Sequence, residues 1–477
     1  MNYLKECRAL KGNCLESKAS ISEIGINCIK RVFRAAVLLA AGIVAGYGLL
    51  TLVYLLPTKP MQANMASAAD LFDKEREYYR VITGYISTQL DNYTDTWMVG
   101  NAVFADNDLP VWKQALACTR AEYGEGPLDG LIRYLSGEEG YTKVEYTRYW
   151  HGYLVLLKPL FLLFDYADLR VINLFMESAL VLLVFGAFWQ RGFVREGIAY
   201  FISLLFLMPV VVPLSIQFSI VFYIANGAML VLLKWYQPIA DSGHMGDYFQ
   251  IVGMVTSFSD LLTYPIAALG MPLVCLTLCK GREQSQRSLL RIEESGRSLQ
   301  TVEESKRGLR PVEESAHRMR TIWERIKEIV AASVYWGFGY GAMWAGKWVL
   351  SSIVLGDHTI ANALSQIAMR SSHKQAGETI GVFTIWRRNI EFYFEKPYLL
   401  LITVCIVIAC WVLFRNRNRL GTLFLDAIPF LLIACMPLVW YALAGQHSYE
   451  HHWFTFRGLM VSVFACLCCL GRKEQGA

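Results

Sequence analysis

The sequence predicts an all-α polytopic membrane protein with about ten transmembrane helices, plus interfacial helices in a long first external loop. Three observations carry that prediction. Of 477 residues, 55% are hydrophobic and 18% charged, and the mean hydropathy is +0.34, more apolar material than a soluble chain of this size needs to bury. Several apolar runs reach the roughly 20 residues that cross a hydrocarbon core of about 30 Å. Basic residues recur in alternate loops, the pattern of positive-inside orientation. Such runs must be helical, because lipid leaves unpaired backbone groups unsatisfied.

The first run, Ala35 to Leu56, follows Lys30, Arg31 and Arg34, so residues 1–34 are expected in the cytoplasm. The stretch "ANMASAAD" offers small residues to a signal peptidase, but the run is too long for a typical signal peptide and reads as a retained anchor. The next apolar stretch, "HGYLVLLKPLFLLF", is short and holds Lys158 and Pro159, which suits an interfacial helix. Further crossings are expected at 170–189, 198–213, 217–235, 249–262, 265–279, 329–354, 398–414, 422–443 and 456–470. This even count returns the C-terminus to the cytoplasm with Arg472 and Lys473. It also keeps Arg191 and Arg195, the insert from Lys280, and Arg415, Arg417 and Arg419 inside. The organisation is a membrane module over 35–279 with external loop 57–150, a cytoplasmic charged insert over 280–328, and C-terminal helices over 329–477 with external loops 355–397 and 444–456.

Twelve cysteines imply no disulfide framework, since only Cys118 falls in an outside loop. Residues 287–326 hold four related decads, "RSLLRIEESG", "RSLQTVEESK", "RGLRPVEESA" and "HRMRTIWERI". A ten-residue step falls about 80° short of three helical turns, so the apolar stripe winds around the helix and makes no coiled-coil seam. Pro311 is expected to interrupt the helix. The repeat reads as a solvated expansion or a partner-docking segment.

In this register the unusual polar residues collect outside. The first external loop is too long for a connector. Phe72, Tyr79, Ile82, Ile86 and Leu90 recur at helical spacing, which predicts an amphipathic surface helix. It leads into "LDNYTDTWMVGNAVF", where Asp91 and Asp95 on one helix face would lie about 6 Å apart. Such a pair can do general acid and base work; the alternative is that Asp91 or Thr94 caps the helix. "NYT" also matches a glycan acceptor pattern of low specificity. Lys347 sits well inside a span, where a lysine costs about 2.5–3.5 kcal/mol; it faces an anionic partner, pairs with Asp260, or snorkels outward. The last external loop, "GQHSYEHHWFTFR", brings His447, His451, His452 and Arg457 to the lipid boundary. Arginine and neutral histidine suit a phosphate. Metal binding through His447, His451 and Glu450, or an aromatic interface belt, is the alternative. A divalent cation bridging phosphate is the cofactor this chemistry leaves open.

This layout resembles the GT-C superfamily of membrane glycosyltransferases, which includes the aminoarabinose transferases and protein O-mannosyltransferases. "DNYTDTWMVGNA" occupies the place of the family's acidic first-loop motif. "YWHGYLVLLKPLFLLFDYADLRVINLFMESALVLLVFGAFWQRGFVR" is similar in order to its short aromatic helix and arginine-headed span. Asp91 and Asp95 stand where the family has an Asp-Glu pair. The resemblance implies transfer of a sugar from a polyprenyl-phosphate carrier, at the outer face, to a glycan, lipid or cell-envelope polymer. It implies an acidic first-loop residue as base and cationic groups on the departing phosphate; the candidates on this chain are Asp95, then Asp91, for the base, and Arg457, His447 and Lys347, with His451 and Arg148 behind them, for the phosphate. No Rossmann or P-loop pattern appears, and the expected partners are the lipid-linked donor, the acceptor and membrane lipids, with no nucleic acid. A transporter or lipid-linked-sugar flippase is the alternative class; a non-catalytic scaffold is the third.

Overall fold

A computed structural model describes residues 2–298, 310–415 and 417–470. The elements follow as α1 (Asn2–Val53), α2 (Thr58–Glu75), α3 (Asn92–Val103), α4 (Val111–Ala117), β1 (Arg120–Glu122), α5 (Pro127–Leu135), β2 (Thr142–Val144), α6 (Leu154–Phe161), α7 (Tyr166–Gln190), α8 (Val194–Leu205), α9 (Ile216–Asp241) and α10 (Met245–Ser259). Then come α11 (Ile266–Ser298), α12 (Arg310–Leu355), α13 (Thr359–Arg370), β3 (Lys374–Gln375), β4 (Glu378–Thr379), α14 (Val382–Ile390), α15 (Lys396–Arg415), α16 (Leu420–Leu443), α17 (Gly445–Glu450), α18 (His452–Thr455) and α19 (Met460–Leu470). The strands form two small antiparallel hairpins, β1 with β2 and β3 with β4. The fold is all-α in its load of structure.

Among the described residues, six segments are long and apolar enough to cross a membrane: Cys28–Val53, Tyr166–Gln190, Ile216–Asp241, Lys396–Arg415, Leu420–Leu443 and His452–Cys469. The chain is therefore a polytopic membrane protein. The expected crossings at 198–213 and 249–262 are the helices α8, with 12 residues, and α10, with 15. α8 ends at Leu205, and α10 ends at Ser259, where Asp260 turns to extended backbone (φ −87°, ψ 145°); left-handed Met208 and Leu262 follow three residues beyond the two ends, close to Pro209 and Pro265. The expected crossings at 265–279 and 329–354 are the apolar parts of α11 and α12, whose remainders carry the polar repeat. Pro311, where an interruption is expected, stands at the edge of the described part of α12; residues 299–309 of the repeat lie outside the described residues.

The amphipathic helix expected from Phe72 to Leu90 does not form. α2 ends at Glu75 because Arg76 turns to φ 60°. Tyr79 to Leu90 then folds back on itself, with Leu90 N donating to Tyr79 O (2.8 Å) and Val81 N to Thr88 O (3.2 Å). Gly84, at φ 92°, makes the reversal. Tyr79, Ile82 and Ile86 still face outward, at 42, 44 and 39% exposure.

Loops assigned to one side by charge pack against one another. Loop 57–150 meets loop 355–397 through Thr359 Oγ1 donating to Thr147 Oγ1 (2.7 Å), Arg148 to Asn362 Oδ1 (2.8 Å), and Glu395 accepting from Ile86 N (2.8 Å) and Ser87 N (3.2 Å). The last loop joins them, with Gln446 N donating to Ser372 O (2.7 Å) and Arg457 to Ser87 O (3.3 Å). The basic turns meet a different set of residues: Arg34 pairs with Asp247 (3.0 Å), Lys280 with Glu328 (2.7 Å), and Arg318 with Asp426 (3.5 Å).

Between these groups, α10 and α12 approach backbone to backbone. A Cβ on Gly253 would lie 2.2 Å from Trp336 O, and one on Gly339 would lie 2.2 Å from Gln250 O. Small residues permit such contact where no hydrophobic force drives helices together. Gly253→Ala and Gly339→Ala should each cost about 1–3 kcal/mol of overpacking, read as a lower Tm of the detergent-solubilised protein. Gly337→Ala, which meets open space, should leave the Tm unchanged.

Candidate functional site

The site is built on α3. Asp91 is the N-cap, accepting from Thr94 N (3.1 Å) and from the Thr94 hydroxyl (3.0 Å). The capping alternative for Asp91 is thus what the structure has, and it does not consume the group. A carboxylate has about four lone-pair sites, and these two bonds leave the others open. Asp91 is 2% exposed; burial raises its pKa to about 7, against the Thr94 bonds and the Arg457 charge, with Asp95 adding to the rise.

Asp95, fully buried, is differently engaged. One oxygen accepts from Gln217 N (3.0 Å) and Ser215 Oγ (3.2 Å); the other accepts from Tyr166 OH (2.6 Å) and Ile216 N (2.9 Å). Both oxygens are saturated. Ser215, the residue before α9, makes no side-chain cap of its own, so Asp95 caps α9 from a distant segment and meets the positive end of its dipole. Burial raises the Asp95 pKa, and the bonds from Tyr166, Gln217 and Ile216 oppose that rise. The two aspartates thus differ in kind: Asp91 keeps open lone pairs, whereas those of Asp95 are taken up.

An ion pair missed by sequence reasoning frames this arrangement. Arg170 of α7 holds Glu75 of α2 through two bonds of 2.7 Å, the bidentate geometry that arginine favours. Asn92 donates to Glu75 (3.0 Å) and to Arg76 O (2.8 Å). The start of α3 is thereby fixed against α2 and α7. The sequence marked Arg170 only as the head of a span; its partner lies 95 positions away.

The last loop lies opposite. Arg457, fully buried, donates to Trp453 O (2.8 Å) and Ser87 O (3.3 Å), and its guanidinium lies 4.0 Å from the Phe218 ring centroid. Its Nε has no hydrogen-bond partner. Trp453 reaches toward Asp91 through Tyr78, at 5.7 Å between ring centroids. His447 has both ring nitrogens engaged: Nδ1 with Arg370 (3.0 Å) and Nε2 with Leu262 O (2.8 Å). Since Arg370 can only donate, the partners assign the neutral tautomer with the proton on Nε2. Burial lowers the His447 pKa further below its ordinary value. His451 sits 4.7 Å from His447 and stacks on Phe454 at 5.2 Å; burial lowers its pKa to about 4, and its Nδ1 has no partner.

His447 with both nitrogens occupied cannot also ligate a metal. Among the described residues no group of three or more His, Cys, Asp or Glu is arranged to hold one.

Arg370, which sequence reasoning also missed, ends α13 and lines a cavity of about 200 Å³ with Arg148, Tyr149, Trp344, Trp348 and Trp440. Its only signal was a cation closing an amphipathic helix in an external loop. The cavity joins two guanidinium groups to an apolar wall, an amphipathic combination.

Lys347 does not join the group. It is fully buried, donates to Leu116 O at the end of α4 (2.6 Å), and lies 5.7 Å over Trp150. Lys158 does the same with Ala102 O near the end of α3 (2.6 Å). Both lysines meet helix C-terminal carbonyls, which favour a cation, and so tie the first loop to the membrane helices. The expected Asp260–Lys347 pair is absent: Lys347 is directed to Leu116 O, and Asp260 accepts from Thr263 N at 3.1 Å. Asp91, Arg457, His447, His451 and Arg148 are thus brought to one face with Arg370, whereas Lys347 is directed beneath the first loop.

Asp95→Ala removes four donors' acceptor and should cost about 2–4 kcal/mol, seen as a marked fall in Tm. Asp91→Ala removes a single cap and should cost about 1 kcal/mol; equal losses would contradict the different roles assigned to the two carboxyls. No family model, curated protein or solved structure matches the chain.

Proposed function

We propose that the chain is a GT-C-type glycosyltransferase that moves a sugar from a polyprenyl-phosphate carrier to an acceptor hydroxyl at the outer face of the membrane. In this reading α8, α10 and the apolar parts of α11 and α12 complete about ten crossings, and both termini are cytoplasmic. The observation that carries the proposal is Asp91, a buried carboxyl with open lone pairs, facing a buried arginine where three loops meet.

The chemistry is a displacement at the anomeric carbon. Asp91 takes the proton of the acceptor hydroxyl as its oxygen bonds to that carbon. The bond from the anomeric carbon to the phosphate oxygen breaks, and its electron pair leaves with the lipid phosphate. Arg457 supplies charge near the departing oxygen, and Arg370 with Arg148 holds the phosphate over the tryptophan-lined wall, where the first isoprene units lie. His447 orients Arg370 as a neutral acceptor. A divalent cation on the phosphate is compatible with this scheme and no step depends on it.

A transporter reading draws on one observation. Glu177 of α7 is 5% exposed within a candidate span, and its Oε1 has no partner; ionisable residues at such depth often serve transport.

The test uses purified protein, labelled polyprenyl-phosphate sugars and a cell-envelope extract. Asp91→Asn should cut transfer by about 100-fold or more, and Arg370→Ala should raise the donor KM about tenfold. A base must be deprotonated, and burial lifts the Asp91 pKa to about 7. Wild-type kcat/KM should therefore rise with pH through about 7, and Asp91→Asn should lack that limb. Intact transfer in Asp91→Asn would remove the proposed base. Movement of the lipid-linked sugar across proteoliposomes without a covalent product, lost in Glu177→Gln, would favour the transporter.

A further inference from the structure

Beside Asp91, α3 carries two rings on one face, Tyr93 and Trp97, with centroids 5.2 Å apart. Tyr78 stacks parallel to Tyr93 at 6.1 Å, and Tyr146 meets Trp97 edge-on at 5.5 Å. Tyr93, Trp97 and Tyr146 are half-buried and Tyr78 is exposed, so the four rings form a track on the loop surface. Tyr93 is two residues from Asp91 at the start of α3, and the Asp91 charge acts on both Tyr78 and Tyr93. Charged groups border it: the Arg120 guanidinium lies 4.5 Å from the Trp97 centroid, Glu122 is 3.9 Å from Arg120, and Glu77 accepts the Tyr93 N–H through its carbonyl at 3.3 Å. Trp97, Arg120 and Glu122 also line a narrow cleft with Thr96.

We propose that the track of Tyr93, Trp97 and Tyr146, bordered by Arg120 and Glu122, binds the acceptor, and that this acceptor is a saccharide. The inference rests on the glycosyltransferase reading for the word acceptor, while saccharide binding stands on the track itself. A sugar ring presents apolar C–H faces and a rim of paired hydroxyls. It therefore matches aromatic faces bordered by planar groups that bond two hydroxyls at once. An acyl chain fits poorly, because it would strip water from the Glu122 carboxylate, whose side chain is 38% exposed, without replacing those bonds. An extended peptide is recognised chiefly by pairing along a strand edge, and the two central rings of this track stand on a helix. The proposal commits the enzyme to extending a glycan whose growing end reaches Asp91.

The experiment applies full-length protein in nanodiscs to an array of neutral, amino and acidic oligosaccharides, alongside the transfer assay with labelled donor. Wild type and Trp97→Phe should bind the same subset, Trp97→Ala should lose the signal about tenfold while keeping its Tm, and Asp91→Asn should bind normally. The transferred label should be released as saccharide, with Trp97→Ala raising the acceptor KM and sparing kcat. No wild-type binding to any array glycan, or equal binding by Trp97→Ala, would overturn the inference. Label recovered on lipid or protein, with Trp97→Ala unaffected, would overturn it while leaving the glycosyltransferase reading in place. Array binding that depends on Trp97, without transfer to any acceptor, would support the saccharide site and sink the glycosyltransferase reading.

Discussion

The arrangement depends on one buried carboxylate. Asp95 accepts two bonds on each oxygen and caps the first turn of α9, a helix long and apolar enough to span the membrane. An unpaired charge at that depth would be expensive; four donors and a helix dipole compensate it. The consequence is positional. α3 is locked to the membrane core one helical turn from Asp91, so the neighbouring carboxyl is held buried while its own lone pairs stay open. Burial is also what raises the Asp91 pKa, so a structural anchor sets the chemistry of the residue beside it.

The other buried cations follow a related logic. Arg170 is neutralised by Glu75, and Lys158 and Lys347 by carbonyls at helix ends. Arg457 differs from Arg170: its two bonds go to backbone carbonyls, and its guanidinium lies over the Phe218 ring. Arg370 is held by a neutral histidine and opens onto an apolar cavity. Arg370 and Arg457 thus belong to the loop face, whereas the two lysines tie the first loop to the helices beneath it. Residue type alone cannot separate these two uses of positive charge.

Much of the fold was legible because long apolar runs have a single solution in lipid. The segments now seen as α1, α7, α9, α15 and α16 follow from length and composition. α8 was read as a longer helix because hydropathy does not register the break before Pro209, where Met208 is left-handed, and α10 was read at nearly its true length but three or four residues too far along the chain. The helix expected through Tyr79 and Ile86 failed for a similar reason. Its spacing was helical, but Gly84 and the Glu395 carboxylate, more than 300 positions away, stabilise a reversal instead. In the site, Asp91, His447, His451 and Arg457 were visible as polar residues in apolar surroundings. Arg370 was not, because an arginine ending an external helix is commonplace, and its meaning depends on the histidine and tryptophans that other segments bring to it. The difference between Asp91 and Asp95 was not legible, because which carboxyl is saturated depends on α9, which lies far along the chain.

The central claim is that three loops form one chemical surface, and that this surface faces away from the cytoplasm. It is tested most directly by single cysteines at exposed positions in a background without native cysteines, treated with a membrane-impermeant maleimide in intact cells. Glu139→Cys and Glu378→Cys, from the first two of these loops, should label without permeabilisation, whereas Asp241→Cys should label only after it. Labelling of position 241 in intact cells, with 139 and 378 protected, would contradict the account.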